Sequence, residues 1–195
     1  YSNLLSNKTT NLEVPCKIIY KDNIFTGLVR ASGSGSRYHD KWGFNVSVQN
    51  NETIEGYREF NLSSQTFDRT GVITSVALHL YNQAGLYTHN AKHIFLKIND
   101  EDIGLYPIIE RVDNEFFEKR NLQVYELFKL SFESKFTFRD LNNPIFNFDK
   151  EFPDDENFFN LYEFIHALDT IEADEIPTLL SRYLDIDNYL KYHAL

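Results

Sequence analysis

An α+β fold is predicted by three observations. Short runs in the first half alternate apolar and polar residues between turn signals, as half-buried strands do. A single stretch over residues 68–83 changes to helical spacing, and helical spacing returns from Glu156 onward. Val14–Tyr20 (VPCKIIY) and Ile24–Arg30 (IFTGLVR) are β-branched runs joined by Lys21-Asp22-Asn23, a hairpin signal. Gly43–Gln49 (GFNVSVQ) reads as a strand, Asn50-Asn51-Glu52 as a turn, and Tyr57–Leu62 as a further short strand. Over residues 68–83, Val72, Val76, Leu78 and Leu80 share one side of a helix. Asp68 is placed to cap its start and Gly85 to stop it. His93–Ile98 and Ile103–Val112 follow as strands about the turn Asn99–Asp102.

Beyond them, Asn114–Arg120 reads as a short helix and Val124–Phe132 as a strand, while Asn142–Pro153 is turn-rich. The spacing of Phe159, Tyr162, Phe164, Ile165 and Leu168 predicts an amphipathic helix, and two more are expected at Leu179–Leu184 and Asp187–Leu195. The last has no Gly, Asn or Pro after it, which reads as a cut end. The division expected is a strand-rich region over residues 1–132 and a helical one over 133–195.

Composition narrows the class. At 195 residues the chain suits one large domain or two small ones, and its 17 Phe and 12 Tyr supply area for a sizeable core. A hydrophobic share of 42% excludes intrinsic disorder, and no apolar run approaches the ~20 residues of a membrane span. Cys16 is the only cysteine, so neither an internal disulfide nor a thiolate zinc cluster can form. The net charge of −10 argues against a nucleic-acid partner. It is unevenly spread: residues 1–98 carry 7 acidic and 10 basic side chains, residues 99–195 carry 22 and 9. The first half can therefore hold a local phosphate site, while the second reads as a solvated acidic surface.

Ser32-Gly33-Ser34-Gly35-Ser36, between two predicted strands, is the strongest local feature. Small residues let backbone N–H groups approach phosphate oxygens, and Lys41 just beyond supplies a point charge. The stretch is neither a Walker motif nor a Rossmann turn, and a flexible hairpin loop is the competing reading. Asn99–Glu110 places Gly104 and Glu110 at the sixth and twelfth positions of a calcium loop. Ile103 stands where an oxygen ligand is needed, so a plain hairpin is expected. The six histidines lack H-E-x-x-H spacing, and Asp154-Asp155-Glu156 suits the N-terminus of a helix better than a metal.

Four segments in order resemble the CotH kinase family, atypical protein kinases named after a bacterial spore coat protein. Val29–Phe44, with Arg30-Ala31-Ser32-Gly33-Ser34-Gly35-Ser36 and Asp40-Lys41-Trp42-Gly43-Phe44, resembles the family's R-G-x-S-S…P-K-K-x-[YF] strand–loop–strand. Phe60-Asn61-Leu62 through Phe67-Asp68 resembles its entry to the first helix. Ile98-Asn99-Asp100-Glu101-Asp102-Ile103-Gly104-Leu105-Tyr106, then Glu110, Val112 and Phe116, resembles I-N-G-E-x-x-G-x-Y…E-x-V…F, and Leu127-Phe128-Lys129 matches L-[YF]-K. The chain departs from the pattern in keeping one lysine of the pair, Lys41, and in lacking the helix's arginine near Val72-Ile73.

The resemblance implies an atypical protein-kinase-like N-lobe, an antiparallel sheet with one packed helix, followed by the first helices of a C-lobe. It implies ATP with Mg²⁺ or Mn²⁺ as cofactors, and phosphorylation of Ser/Thr on an unidentified surface or coat protein. Secretion, a cell envelope or a spore coat would be its location. Gly33, Ser34, Gly35, Ser36 and Lys41 become the ATP-phosphate cradle, with Lys41 projecting toward a cleft that Glu110 borders. Glu110 would lie near adenine or pair with Lys41, and Lys129 would contact phosphate or lie over Phe128. The catalytic loop and metal-binding aspartates would lie beyond Leu195. A non-catalytic CotH-like coat or adhesion protein is the alternative, and an unrelated α+β binding module the third reading.

Overall fold

A computed structural model describes residues 4, 6, 9–33, 35–130 and 148–195. The fold is α+β, in two compact units, Tyr1–Arg111 and Val112–Leu195.

The first unit is a six-stranded antiparallel sheet with one helix. Its strands are β1 (Val14–Tyr20), β2 (Asn23–Ser32), β3 (Gly43–Val48), β4 (Glu59–Leu62), β5 (Ala91–Ile98) and β6 (Glu101–Glu110), in the order β1-β2-β3-β4-β6-β5. The helix α1 (Ile73–Gln83) falls between β4 and β5. Two tight turns set the outer hairpins. Lys21 and Asp22 have φ of 48° and 65°, Asn99 and Asp100 of 50° and 68°, so each pair makes the left-handed two-residue connection whose twist matches its strands. The calcium spacing of residues 99–110 therefore resolves as a hairpin.

One face of the sheet carries the core. Trp42, Phe44, Val46, Val48, Phe60, Leu62, Tyr106 and Ile108 are buried there, and Ile18 and Tyr20 of β1 and Ile94, Leu96 and Ile98 of β5 pack against them. β1 and β5 are opposite edges of the sheet, so sharing one core requires it to curl. The buried Tyr106 hydroxyl donates to the Trp42 carbonyl at 2.9 Å, which removes the penalty of an unpaired buried phenol. Each large side chain buried this way contributes roughly 1.5–3 kcal/mol.

Glu55 closes the curl. It sits in the β3–β4 connection, where Ile54 and Tyr57 exchange hydrogen bonds of 3.0 Å and Glu55 and Gly56 take φ of 53° and 85°. The turn buries Ile54 and turns the Glu55 carboxylate to the two sheet edges. The carboxylate accepts Lys21 Nζ at 2.7 Å from the β1–β2 turn, Lys92 Nζ at 2.8 Å from β5, and the Tyr20 hydroxyl. Those hydrogen bonds, Lys21 first, hold its pKa at about 2 against an ordinary 4.5.

α1 departs from expectation in two ways. It begins at Ile73 rather than near 68. Asp68 nevertheless caps it from a distance, its carboxylate accepting the Ile73 N–H at 2.7 Å and the Thr70 N–H at 2.8 Å across a turn through Gly71. The end is as read: Gly85 has φ 82°, and Leu86 N–H returns to the Tyr81 carbonyl at 3.0 Å. The apolar side expected to pack does not. Ile73, Val76 and Leu80 are 60%, 52% and 51% exposed, because the core lies on the other face of the sheet. α1 meets β5 through polar groups, His93 Nε2 lying 2.8 Å from the Gly71 carbonyl and 3.4 Å from Ser75 Oγ.

The second unit holds α2 (Asn114–Glu118), β7 (Leu127–Leu130), β8 (Phe148–Phe152), α3 (Phe159–Thr170), α4 (Ile176–Tyr183) and α5 (Ile186–Ala194). Asp113 caps α2 and Asp185 caps α5. β7 is shorter than the predicted Val124–Phe132, whose last two residues lie outside the described ones, as does most of the turn-rich 142–153. The remainder of that stretch is a correction, since Phe148–Phe152 pairs with β7. Lys150, with its side chain 2% exposed, pins this hairpin to the approach of α3. It donates to Glu126 at 3.0 Å, Asp155 at 2.6 Å and the Asn157 carbonyl at 2.5 Å. Burial acts to lower its pKa, but the bonds to Asp155 and Glu126 outweigh that and raise it. Asp155 thus ties a lysine and the Asn157 N–H.

Two measurements check these ties. A depressed carboxylate pKa stabilises the fold fully above the unfolded value near 4.5 and ceases to do so as pH falls toward 2. Glu55→Gln should therefore melt a few degrees below wild type at pH 7 and coincide with it near pH 2. An equal gap at both pH values would refute the clamp. In the second unit, Lys150→Ala should lower the urea midpoint clearly more than Lys129→Ala, whose parent side chain is 70% exposed. Equal midpoints would show that the buried lysine is not the tie.

Candidate functional site

The Gly/Ser segment leaves the end of β2 and re-enters the sheet at β3. Gly33 has φ 87°, a left-handed conformation that favours glycine, and it brings the backbone against Ser36. Ser36–Tyr38 then forms one 3₁₀ turn, in which Tyr38 N–H bonds the Gly35 carbonyl at 3.2 Å and His39 N–H the Ser36 carbonyl at 3.1 Å. Arg37 anchors the turn to Thr10 O at 3.1 Å and Asn11 Oδ1 at 2.9 Å. Ser34 lies outside the described residues. Gly33, Gly35 and Ser36 thus form a short, locally bonded loop with small side chains.

Lys41 and Glu110 are not brought together. Lys41 Nζ donates to the Leu105 carbonyl at 2.7 Å and lies 4.5 Å from the centre of the Tyr106 ring, and burial lowers its pKa. Glu110 is five residues further along β6, about 17 Å of strand. It is 2% exposed and accepts Asn90 N–H at 3.3 Å and Asn90 Nδ2 at 3.4 Å, while its carbonyl meets His89 Nδ1 at 2.8 Å. Its visible work is to fasten the α1–β5 connection to the sheet. Lys129 belongs to the second unit, exposed on β7 and 3.9 Å from Glu151.

The face of the sheet opposite the core holds residues that sequence reading passed over. Register sets Arg30 beside Asn45 and Asn45 beside Asn61, and likewise Ser47 beside Glu59. Asn45 Nδ2 donates to Asn61 Oδ1, and Arg111 pairs with Glu59. With Glu13, most of these line a depression of about 90 Å³. Strict alternation in GFNVSV and EFNL was the available signal for outward polar side chains; which of them meet depends on register across irregular loops. Among the described residues no three His, Cys, Asp or Glu side chains converge as a metal site would require, and no helix is long and apolar enough to cross a membrane.

Comparison with known proteins places the sequence in a family. A family model described as CotH kinase protein matches residues 29–195, from the end of β2 through the Gly/Ser loop to the last helix. Inner spore coat protein H of Bacillus subtilis (strain 168) is 23% identical over 169 residues, which cover 83% of this chain and 47% of that protein. The chain thus spans about half the length of this curated relative. Because the family model takes in most of the sheet and every described element after it, the chain belongs to the CotH family.

Proposed function

We propose that the chain is the nucleotide-binding lobe, with the start of the following lobe, of a CotH-type protein kinase that moves the γ-phosphoryl group of ATP to Ser/Thr of a surface or coat protein. The observation that carries the reading is the Gly/Ser loop, closed on itself where β2 turns into β3, beside the polar row of Arg30, Asn45 and Asn61. Such a loop lets backbone approach phosphate oxygens, as glycine-rich kinase loops do. The coat protein of Bacillus subtilis supports a spore-coat location. Among the described residues no three His, Cys, Asp or Glu side chains converge to hold Mg²⁺ or Mn²⁺, and on this reading the metal-binding aspartates would lie beyond Leu195.

One observation favours the non-catalytic reading. Protein kinases pair their nucleotide lysine with a Glu of the first-lobe helix. α1 (ITSVALHLYNQ) has no carboxylate, and Lys41 is engaged by Leu105 and Tyr106. A lobe of this kind can hold a ligand without transferring phosphate.

Phosphoryl transfer needs charge neutralisation and a positioned nucleophile as well as bound phosphates. The 195-residue chain should therefore bind ATP saturably by titration calorimetry, yet incorporate no label from radioactive ATP with Mg²⁺ or Mn²⁺ above a heat-killed control. Label in the protein would place catalytic groups within these residues. Absence of ATP binding would overturn the nucleotide reading in favour of the non-catalytic one.

A further inference from the structure

We propose that the polar face of the first unit carries an anion site centred on Arg30, which takes a terminal phosphoryl group; only the identity of that ligand as part of a nucleotide rests on the reading above. Arg30 lines the depression together with Asn45, Ser47, Glu59, Arg111 and Glu13. Among the described residues its guanidinium makes no hydrogen bond or ion pair, whereas the Arg111 guanidinium is held by Glu59. A planar, permanently charged fork with its donors uncommitted is the side chain best suited to a phosphoryl or carboxylate oxygen pair.

Position in the fold points the same way. Arg30 and Ser32 project on the same face of β2, because side chains alternate along a strand, and Gly33 follows Ser32 directly. An anion beside the start of the Gly/Ser loop is within reach of Arg30. Lys41 is not so placed, since its ammonium already bonds the Leu105 carbonyl and rests on the Tyr106 ring. The depression is small, about 90 Å³, and open to solvent, which suits one phosphoryl group with the rest of a larger ligand outside it. Asn45 and Ser47 supply neutral donors on the wall, and Glu13, on the rim, opposes the anion and restrains its affinity.

Titration calorimetry of the full 195-residue chain with inorganic triphosphate, and separately with ATP, tests the site. Triphosphate should bind wild type saturably. Arg30→Gln should weaken it by about 10–100-fold, the loss of one charge-assisted bidentate contact. Lys41→Gln should stay within about threefold, and Glu13→Gln should bind more tightly, as removal of a facing like charge requires. Arg30→Lys, keeping the charge without the fork, should fall between, and equal melting temperatures of the Arg30 variants and wild type would exclude unfolding as the cause. Equal affinity in wild type and Arg30→Gln, or no triphosphate binding by wild type, overturns the site. ATP binding that survives either result would leave the nucleotide reading standing without it. Arg30-dependent triphosphate binding with no binding of ATP would instead keep the site and remove the nucleotide.

Discussion

The curl of the six-stranded sheet is the constraint on which the rest of the first unit depends. β1 and β5 are its two edges, yet both place apolar residues against the same aromatic core. The Glu55 carboxylate, presented by a left-handed turn, takes a lysine from each edge. The hydrophobic term is the larger: Phe44, Tyr106 and Ile108 are almost wholly removed from water, while the clamp operates between partly exposed groups. The core supplies the stability and the clamp selects the curvature.

Curling divides the labour of the two faces. The inner face is filled by Trp42, Phe44 and Tyr106. Lys41 serves that side, with its ammonium on a backbone carbonyl and an aromatic face. Polar side chains gather on the outer face, where Arg30, Asn45 and Asn61 stand in register, Glu59 pairs with Arg111 and α1 lies against β5. This explains why α1 is held by His93 and Gly71 rather than by its apolar stripe. The surface it meets is not the core, and Ile73, Val76 and Leu80 remain outside.

What was legible in the sequence was local. Asp22, Asn99 and Asp100 announced hairpins because Asn and Asp tolerate positive φ, and Gly85 announced the end of α1 for the same reason. Asp68 was identified as a cap although the helix begins five residues later, since a short carboxylate can reach back over a turn. The illegible parts depend on distant pairing. Periodicity shows that Val76 and Leu80 share a side but not whether the sheet face beneath has apolar room. The alignment of Arg30 with Asn45 and Asn61 depends on strand register across the long β2–β3 and β3–β4 connections. Glu55 falls between the turn read at Asn50-Asn51-Glu52 and the strand read at Tyr57–Leu62, and nothing near it signals that two sheet edges meet there. β8 was hidden because Lys150 interrupts its apolar pattern and is buried only through Glu126 and Asp155.

One face of this sheet folds the unit, and we propose that the other binds the ligand. A crystal structure of the chain with inorganic triphosphate tests it most directly. The expected result is a phosphoryl group within hydrogen-bond distance of the Arg30 guanidinium, with Lys41 still on the Leu105 carbonyl. A triphosphate seated on Lys41, with that bond broken and the polar face holding only water, would contradict it.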